Sequence, residues 1–345
     1  MKFAIVSPAT EIKHHYVEGA VAELRRRGHE VVVMPNAIGR ECGTYAASDA
    51  ARLSDLREAL IDETVDVILC GRGGYGCVHL MSEELEQLVR ENPKWLLGFS
   101  DVSALHALWM RAGAPSLHCS MAKQLALSDP AIQTAATRAL LEKELAGTGA
   151  PEASLAARCE CVGYMFDILE GRSVEYSEER DDLKAPRAGM DGADAGRAQH
   201  PLNLPGEASG RIIGGNLAVL NGLASTRWDL LSPENVKGNL LFLEDVGEKI
   251  YQVERMLKRL QMAGTLDAAS GLLFGRFTDY KPDRNFHTME EMISTRLKEW
   301  GIRKPTAYHF PIGHIQRNLP IPEGVYATLS VSPSHTLLQF LIPNS

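Results

Sequence analysis

Over its first third the chain alternates short apolar runs with stretches of helical period, and this alternation restricts the fold more than any other feature. Phe3-Ala-Ile-Val6 is a compact apolar run that stops at Ser7-Pro8. Val17, Val21 and Leu24 then recur at helical spacing, with Gly28 as the stop signal. Val31-Val32-Val33 is β-branched and reads as a buried strand. Leu53, Leu56 and Leu60 mark the next helix, and Val65-Asp-Val-Ile-Leu69 the next strand. A glycine cluster, a charged helix over 82–92, a strand over 95–99 and a helix over 101–111 continue the pattern. Strands separated by helices predict βαβ units and a parallel sheet.

From about 149 to 210 the periodicity fades, through Gly149, Pro151, the run Glu178-Glu179-Arg180-Asp181-Asp182 and a stretch from Gly189 to Ala198. Order returns with a strand at Arg211-Ile-Ile213, a helix over 216–224 and a strand at Asn239-Leu-Leu-Phe-Leu243. Ile250, Val253, Leu257 and Leu260 form the stripe of an amphipathic helix. Gly271-Leu-Leu-Phe274 is a further strand, and 326–331 with 337–341 a closing β pair. A chain of 345 residues exceeds the usual size of one core. The expected division is an N-terminal α/β domain over 1–150, a linker and loop-rich insertion over 151–209, and a C-terminal domain over 210–345.

Charge and composition exclude several functions. Lys and Arg total 36 against 44 Asp and Glu, a formal net charge of −8, and no basic run is longer than Arg25-Arg26-Arg27, on the polar side of a helix. No nucleic acid partner is expected. The start of the chain lacks the apolar stretch and cleavage site of a signal peptide, and no window approaches a membrane span. No membrane association and a cytoplasmic location are therefore expected. Six cysteines, at 42, 70, 77, 119, 159 and 161, lack zinc or redox spacing and read as buried free thiols. Eleven histidines give no metal-ligand motif, so neither a metal nor a cofactor is expected.

Four local features could carry chemistry. In Gly98-Phe99-Ser100-Asp101 a serine stands where a strand meets a helix, which either projects a hydroxyl or simply caps the helix. Val102 breaks the G-x-S-x-G elbow pattern. Cys70-Gly-Arg-Gly-Gly-Tyr-Gly76 follows a strand; it is neither a P-loop nor a dinucleotide motif, and reads as an amide-presenting loop or a tight turn. Glu244-Asp245 closes a strand, as functional acids or as a cap for the following helix. Pro311-Ile-Gly-His314 places a histidine in a loop. Together Ser100, Glu244 and His314 supply a hydroxyl, an acid and a base in the order Ser…Glu…His.

At these residues the chain resembles the LD-carboxypeptidase family of serine peptidases. The matching segments are GRGGYG (71–76), GFSDVSALH (98–106), GGNLAVLNGLAST (214–226), LFLEDVGEKIYQVERMLKRL (241–260), SGLLFGRF (270–277) and PIGHIQRNLPIPEG (311–324), all in the family's order. The resemblance implies an N-terminal parallel α/β domain linked to a smaller, β-rich α/β C-terminal domain, with the active site between them. It implies Ser100 as nucleophile, Glu244 as orienting acid and His314 as general base. The backbone N–H groups of Asp101 and of Gly74 or Gly73 would form the oxyanion hole. It further implies a homodimer that removes the terminal D-alanine from cytosolic murein tetrapeptides in peptidoglycan recycling, without a metal.

Two rivals remain: a self-immunity peptidase of the same family that cleaves a peptide–nucleotide antibiotic, and a non-catalytic peptide-binding protein. The family's usual His-Gly-Pro reads His118-Cys119-Ser120 here, a segment expected to line the site. Glu254 stands where an aspartate is usual, beside Arg255, and 176–210 matches nothing in the family and is expected to tune access or specificity.

Overall fold

Four-residue apolar runs such as Val67–Cys70 are too short for helices and too uniformly apolar for a half-exposed strand, so they fold as strands covered on both faces. The computed structural model describes residues 1–39, 43–128, 135–146, 151–179 and 202–341. In the first sheet β1 (Lys2–Val6), β2 (Glu30–Val33), β3 (Val67–Cys70), β4 (Trp95–Gly98) and β5 (Ser116–His118) run parallel in the order β2-β1-β3-β4-β5. Between them lie α1 (His14–Arg26), α2 (Asp49–Ile61), α3 (Glu83–Glu91) and α4 (Ser103–Ala112). In such sheets ligands gather beyond the carboxyl ends of the strands. The glycine loop after β3 and Ser100 after β4 both lie there.

Three helices follow: α5 (Ala122–Leu125), α6 (Ala135–Ala146) and α7 (Pro151–Leu169). The expectation of a linker and loop-rich insertion over 151–209 is thus corrected in its first part. Residues 151–169 are helix and β6 (Glu175–Glu179) is a strand, while 180–201, with the expected role in access, lies outside the described residues. The buried face of α7 is Arg158, Cys161, Val162, Met165, Phe166 and Ile168, which keeps helical spacing. Its contrast is weak in the sequence because the face starts on an arginine and much of the opposite side is alanine, cysteine and glycine.

The second sheet contains β6, β7 (Gly206–Asn216), β8 (Leu240–Val246), β9 (Gly271–Thr278), β10 (Thr306–Ala307), β12 (Tyr326–Val331) and β13 (His335–Leu341), in the order β10-β9-β8-β7-β12-β13-β6. Its β10-β9-β8-β7 part is parallel and the rest antiparallel. Helices α8 (Leu217–Asn221), α9 (Pro233–Val236), α10 (Ile250–Ala263), α11 (Thr265–Ala268) and α12 (Met289–Glu299) complete it. The expected stripe of α10 is buried as predicted, joined by Met256. Sequence reading missed α12, although Thr288 and Glu291 spell an N-terminal signal, and the Thr288 hydroxyl caps the Glu291 amide at 3.1 Å. The mixed α/β architecture with one mostly parallel sheet agrees with the expected fold class.

The halves are tied on both flanks. The strand β11 (Ile321–Glu323) leaves the second half and pairs antiparallel with β5, pairing Ile321 with His118 at the edge of the first sheet. On the other flank the buried Glu86 of α3 accepts from Trp228 Nε1 (3.0 Å) and pairs with Arg90 (2.7 Å), Arg111 and Arg227 (both 3.4 Å). Among the described residues no helix is long and apolar enough to cross a membrane.

Candidate active site

Ser100 opens a 3₁₀ turn, Ser100–Val102, between β4 and α4, and its backbone is left-handed at φ 66°. A non-glycine residue there is strained by about 1 kcal/mol or more, and such strain concentrates where a side chain must be presented. Val102, which breaks the elbow pattern, packs its methyls onto Gly98, where a Cβ would meet them at 2.9 Å. The turn therefore needs a glycine before the serine but none after it. Gly73 of the glycine loop lies directly on the serine: a Cβ on it would stand 2.8 Å from Ser100 Cβ. The Asp101 carboxylate accepts from the Cys77 amide at 2.9 Å and ties the loop to the turn.

The three widely separated residues meet. Ser100 Oγ–H donates to His314 Nε2 at 3.0 Å, and His314 Nδ1–H donates to Glu244 Oε2 at 2.8 Å. The carboxylate dictates that tautomer, because it can only accept from Nδ1. Glu244 stands near the end of β8 beside its register partner Asn216, whose Nδ2 reaches Oε1 at 3.3 Å. The His314 loop is closed by Leu319 N to Pro311 O (2.8 Å) and Gly313 N to Asn318 Oδ1 (2.8 Å). Asn216 N donates to Ser103 Oγ at 3.0 Å, so the second sheet also grips the start of α4.

Burial alone would push the Glu244 carboxyl up, but His118 and His314 outweigh it and hold it at about 2. Burial works to lower His314, yet its bond to Glu244 and that charge, with smaller help from Asp245 and Asp279, carry its pKa above the ordinary 6.5. Asp245 is pushed up to about 7 by burial and by the charge of Glu244. It accepts from the amides of Ala218 (2.8 Å) and Val246 (2.7 Å), so it caps α8 rather than the following helix.

Beside His314 and Phe99 opens a cavity of about 290 Å³ whose wall includes Lys123, Arg158, Ser120 and Gln316. Arg158 donates to Leu127 O (3.2 Å) and to Gln316 Oε1. No Asp or Glu stands among the described residues of this wall. Sequence reading missed Lys123, Arg158 and Asn216; only Asn216 sat in a quoted motif. Of His118-Cys119-Ser120, expected to line the site, only Ser120 reaches the cavity, and the first two are buried behind it. Four of the cysteines are buried as expected, Cys159 is exposed, and Cys42 lies outside the described residues. Among those residues no group of three or more His, Cys, Asp and Glu is arranged to hold a metal ion.

Glu323, whose β11 borders this site, is wholly buried, and burial raises its carboxyl well above the ordinary 4.5. An acid raised on folding costs stability as pH climbs above its unfolded value. Glu323→Gln is therefore expected to be more stable than the parent at pH 8, with the gap closing below about pH 4.5. Urea denaturation across that range checks it; a gap independent of pH would mean that Glu323 ionises freely.

A two-sheet α/β fold that gathers a strained serine, an imidazole and a buried carboxylate belongs to a recurrent class of hydrolase sites. Comparison with known proteins narrows the class. The model for the LD-carboxypeptidase N-terminal domain matches residues 3–119, and that for the LD-carboxypeptidase C-terminal domain matches 209–329. A Streptomyces coelicolor protein with a carboxypeptidase name is 31% identical over 95% of this chain and 90% of its own. The murein tetrapeptide carboxypeptidase of Pseudomonas aeruginosa is 28% identical over 95% of this chain and 92% of its own. The muramoyltetrapeptide carboxypeptidase structure from Oxalobacter formigenes shares the fold with TM-score 0.74 and 22% identity, over 99% of this chain and 98% of that one. The microcin C7 self-immunity protein MccF shares it equally, with TM-score 0.74 and 18% identity over 99% and 97%. The chain belongs to the LD-carboxypeptidase family, a family of serine peptidases.

Proposed function

We propose that the protein is a serine LD-carboxypeptidase that removes the terminal D-alanine from cytosolic murein tetrapeptides in peptidoglycan recycling. The observation that carries this is the unbroken line of hydrogen bonds from Ser100 Oγ through His314 to the buried Glu244, at 3.0 and 2.8 Å. His314 takes the Ser100 proton as Oγ attacks the scissile carbonyl, and Glu244 stabilises the imidazolium that forms. The backbone N–H of Asp101 and that of Gly73 or Gly74 receive the oxyanion, at about 3 kcal/mol per donor. His314 then protonates the departing D-alanine amine, and water, activated by the same imidazole, releases the acyl-enzyme. A non-catalytic binder has no use for a serine held at φ 66° against a base.

A carboxypeptidase must also recognise a free α-carboxylate next to the scissile bond. Lys123 and Arg158 place two positive charges in the cavity beside His314, suited to that anion. Lys123→Met is expected to raise KM for the tetrapeptide about tenfold with kcat much less affected, the loss of one charge-assisted contact. Steady-state kinetics would show it; an unchanged KM would place the carboxylate elsewhere.

A second reading has one observation in its favour. Tyr75 on the glycine loop is 53% exposed, and its ring lies 6.1 Å from Tyr45 and 5.5 Å from His79. Such an aromatic group, on the loop whose Gly73 abuts Ser100, could receive a nucleobase, as a peptide–nucleotide peptidase requires. The first test is incubation of the purified protein, with chelator present, with free murein tetrapeptide and separately with a peptide–nucleotide amide, followed by mass spectrometry. Release of D-alanine from the tetrapeptide is the expected result. Cleavage of the nucleotide conjugate alone would move the assignment to self-immunity, and binding without cleavage of either to a peptide-binding protein.

A further inference from the structure

Only one oxygen of the Glu244 carboxylate is used by His314. The other, Oε1, accepts from Asn216 and faces His118 Nε2 at 3.8 Å. His118 lies wholly buried on β5, its ring 5.8 Å from that of Phe99 and 5.3 Å from that of Phe242, and neither ring nitrogen has a hydrogen-bond partner within bonding distance among the described residues. A buried imidazole without a partner is costly, and its place beside an ionised carboxylate asks for a physical reason.

The groups around it are accounted for. His106 on α4, with its ring 6.4 Å away, donates Nε2–H to the Gly98 carbonyl at 3.0 Å, leaving Nδ1 bare toward Glu323 Oε1 at 3.9 Å. Burial keeps His106 neutral, Glu323 of β11 protonated, and the thiols of Cys70 and Cys119 undissociated. Among the described residues Glu244 on β8 faces His118, and on the far side of that carboxylate stands His314.

We propose that His118 is a positioning residue for the acid of the triad: an imidazole that directs its Nε2–H at Glu244 Oε1. The inference rests on the roles proposed above for Ser100, Glu244 and His314. Held at both oxygens, Glu244 keeps Oε2 aimed at His314 and spreads its charge over several donors. Without His118 more charge remains on Oε2, the imidazolium of His314 is held more firmly, and His314 titrates at higher pH. A side chain that merely fills space would leave that titration where it is.

The test is a pH titration by NMR of the full chain carrying ¹⁵N-labelled histidine, as parent, His118→Phe and His118→Gln, with thermal melts beside it. In the parent, His118 is expected to show a protonated Nε2. The His314 midpoint is expected to rise by about half a pH unit or more in the phenylalanine variant, and to stay near the parent value in the glutamine variant, which keeps a donor. A bare Nε2 in the parent, or a His314 midpoint unmoved by phenylalanine, would overturn the proposal. If the phenylalanine variant does not fold, the parent decides it: a proton on Nε2 supports the proposal, while a bare Nε2, or a displaced His314 midpoint in the glutamine variant, sinks it. None of these readings needs a substrate, so a failed D-alanine assay and a failed role for His118 are told apart.

Discussion

Ser100→Ala is expected to lower D-alanine release about 10⁶-fold, the loss seen when a triad nucleophile is removed, while the protein remains folded. The residual rate would come from the oxyanion donors and from substrate binding, which the substitution leaves in place. Ser100→Gly sharpens the test, because glycine adopts φ 66° without strain. That variant is expected to be equally inactive and more stable than the parent by about 1 kcal/mol, as strain held for catalysis is released. Mass-spectrometric release assays and urea denaturation read the two quantities. Equal release by parent and alanine variant would reduce Ser100 to the start of a helix.

Glu244→Gln is expected to lower kcat about 10⁴-fold, since an amide can present its NH₂ to His314 and favour the wrong tautomer. The sign of the pH effect follows from the raised pKa of His314. The base must be neutral, so kcat/KM of the parent rises with pH through a value above 6.5. Removing the carboxylate removes the main group raising it, so the residual activity of the variant is expected to keep its level to lower pH. Stability runs differently. The depressed Glu244 contributes stability that is present above about 4.5 and lost as pH falls toward 2, whereas the raised His314 contributes below 6.5 and fades as pH climbs through its folded value. A pH profile with the same acid limb in parent and variant would separate Glu244 from the titration of His314.

Strands β1 to β4 of the first sheet were legible because each is a short apolar run between amphipathic stretches, whereas β5, Ser116-Leu117-His118, has no such run and was missed. Ser100, Glu244 and His314 were legible as residue types at strand ends and in loops, and their common motif order made them a set. Their meeting was not legible, since no local pattern encodes a contact across 214 residues of chain. Nor was the turn itself: the elbow rule failed at Val102, whose methyls pack onto Gly98. The three residues of β11 carry no periodicity, and Pro322 hides a strand whose pairing partners lie two hundred residues earlier. His118 was placed at the wall of the site because the family's His-Gly-Pro segment is expected there; it stands instead at the end of β5, a strand buried along its whole length, and only Ser120, beyond the strand, reaches the cavity.

The crossing of β11 onto β5 also sets a clock on the enzyme's own synthesis. The histidine loop runs directly into this strand, so the pairing of residues 321–323 with the first sheet anchors the loop that holds His314 against Ser100. A chain still emerging from the ribosome can complete its first parallel sheet long before it can hydrolyse anything. Amidase activity would then be the last property acquired in folding and among the first lost when the edge strand detaches, a sensitive reporter of whether the two halves are joined.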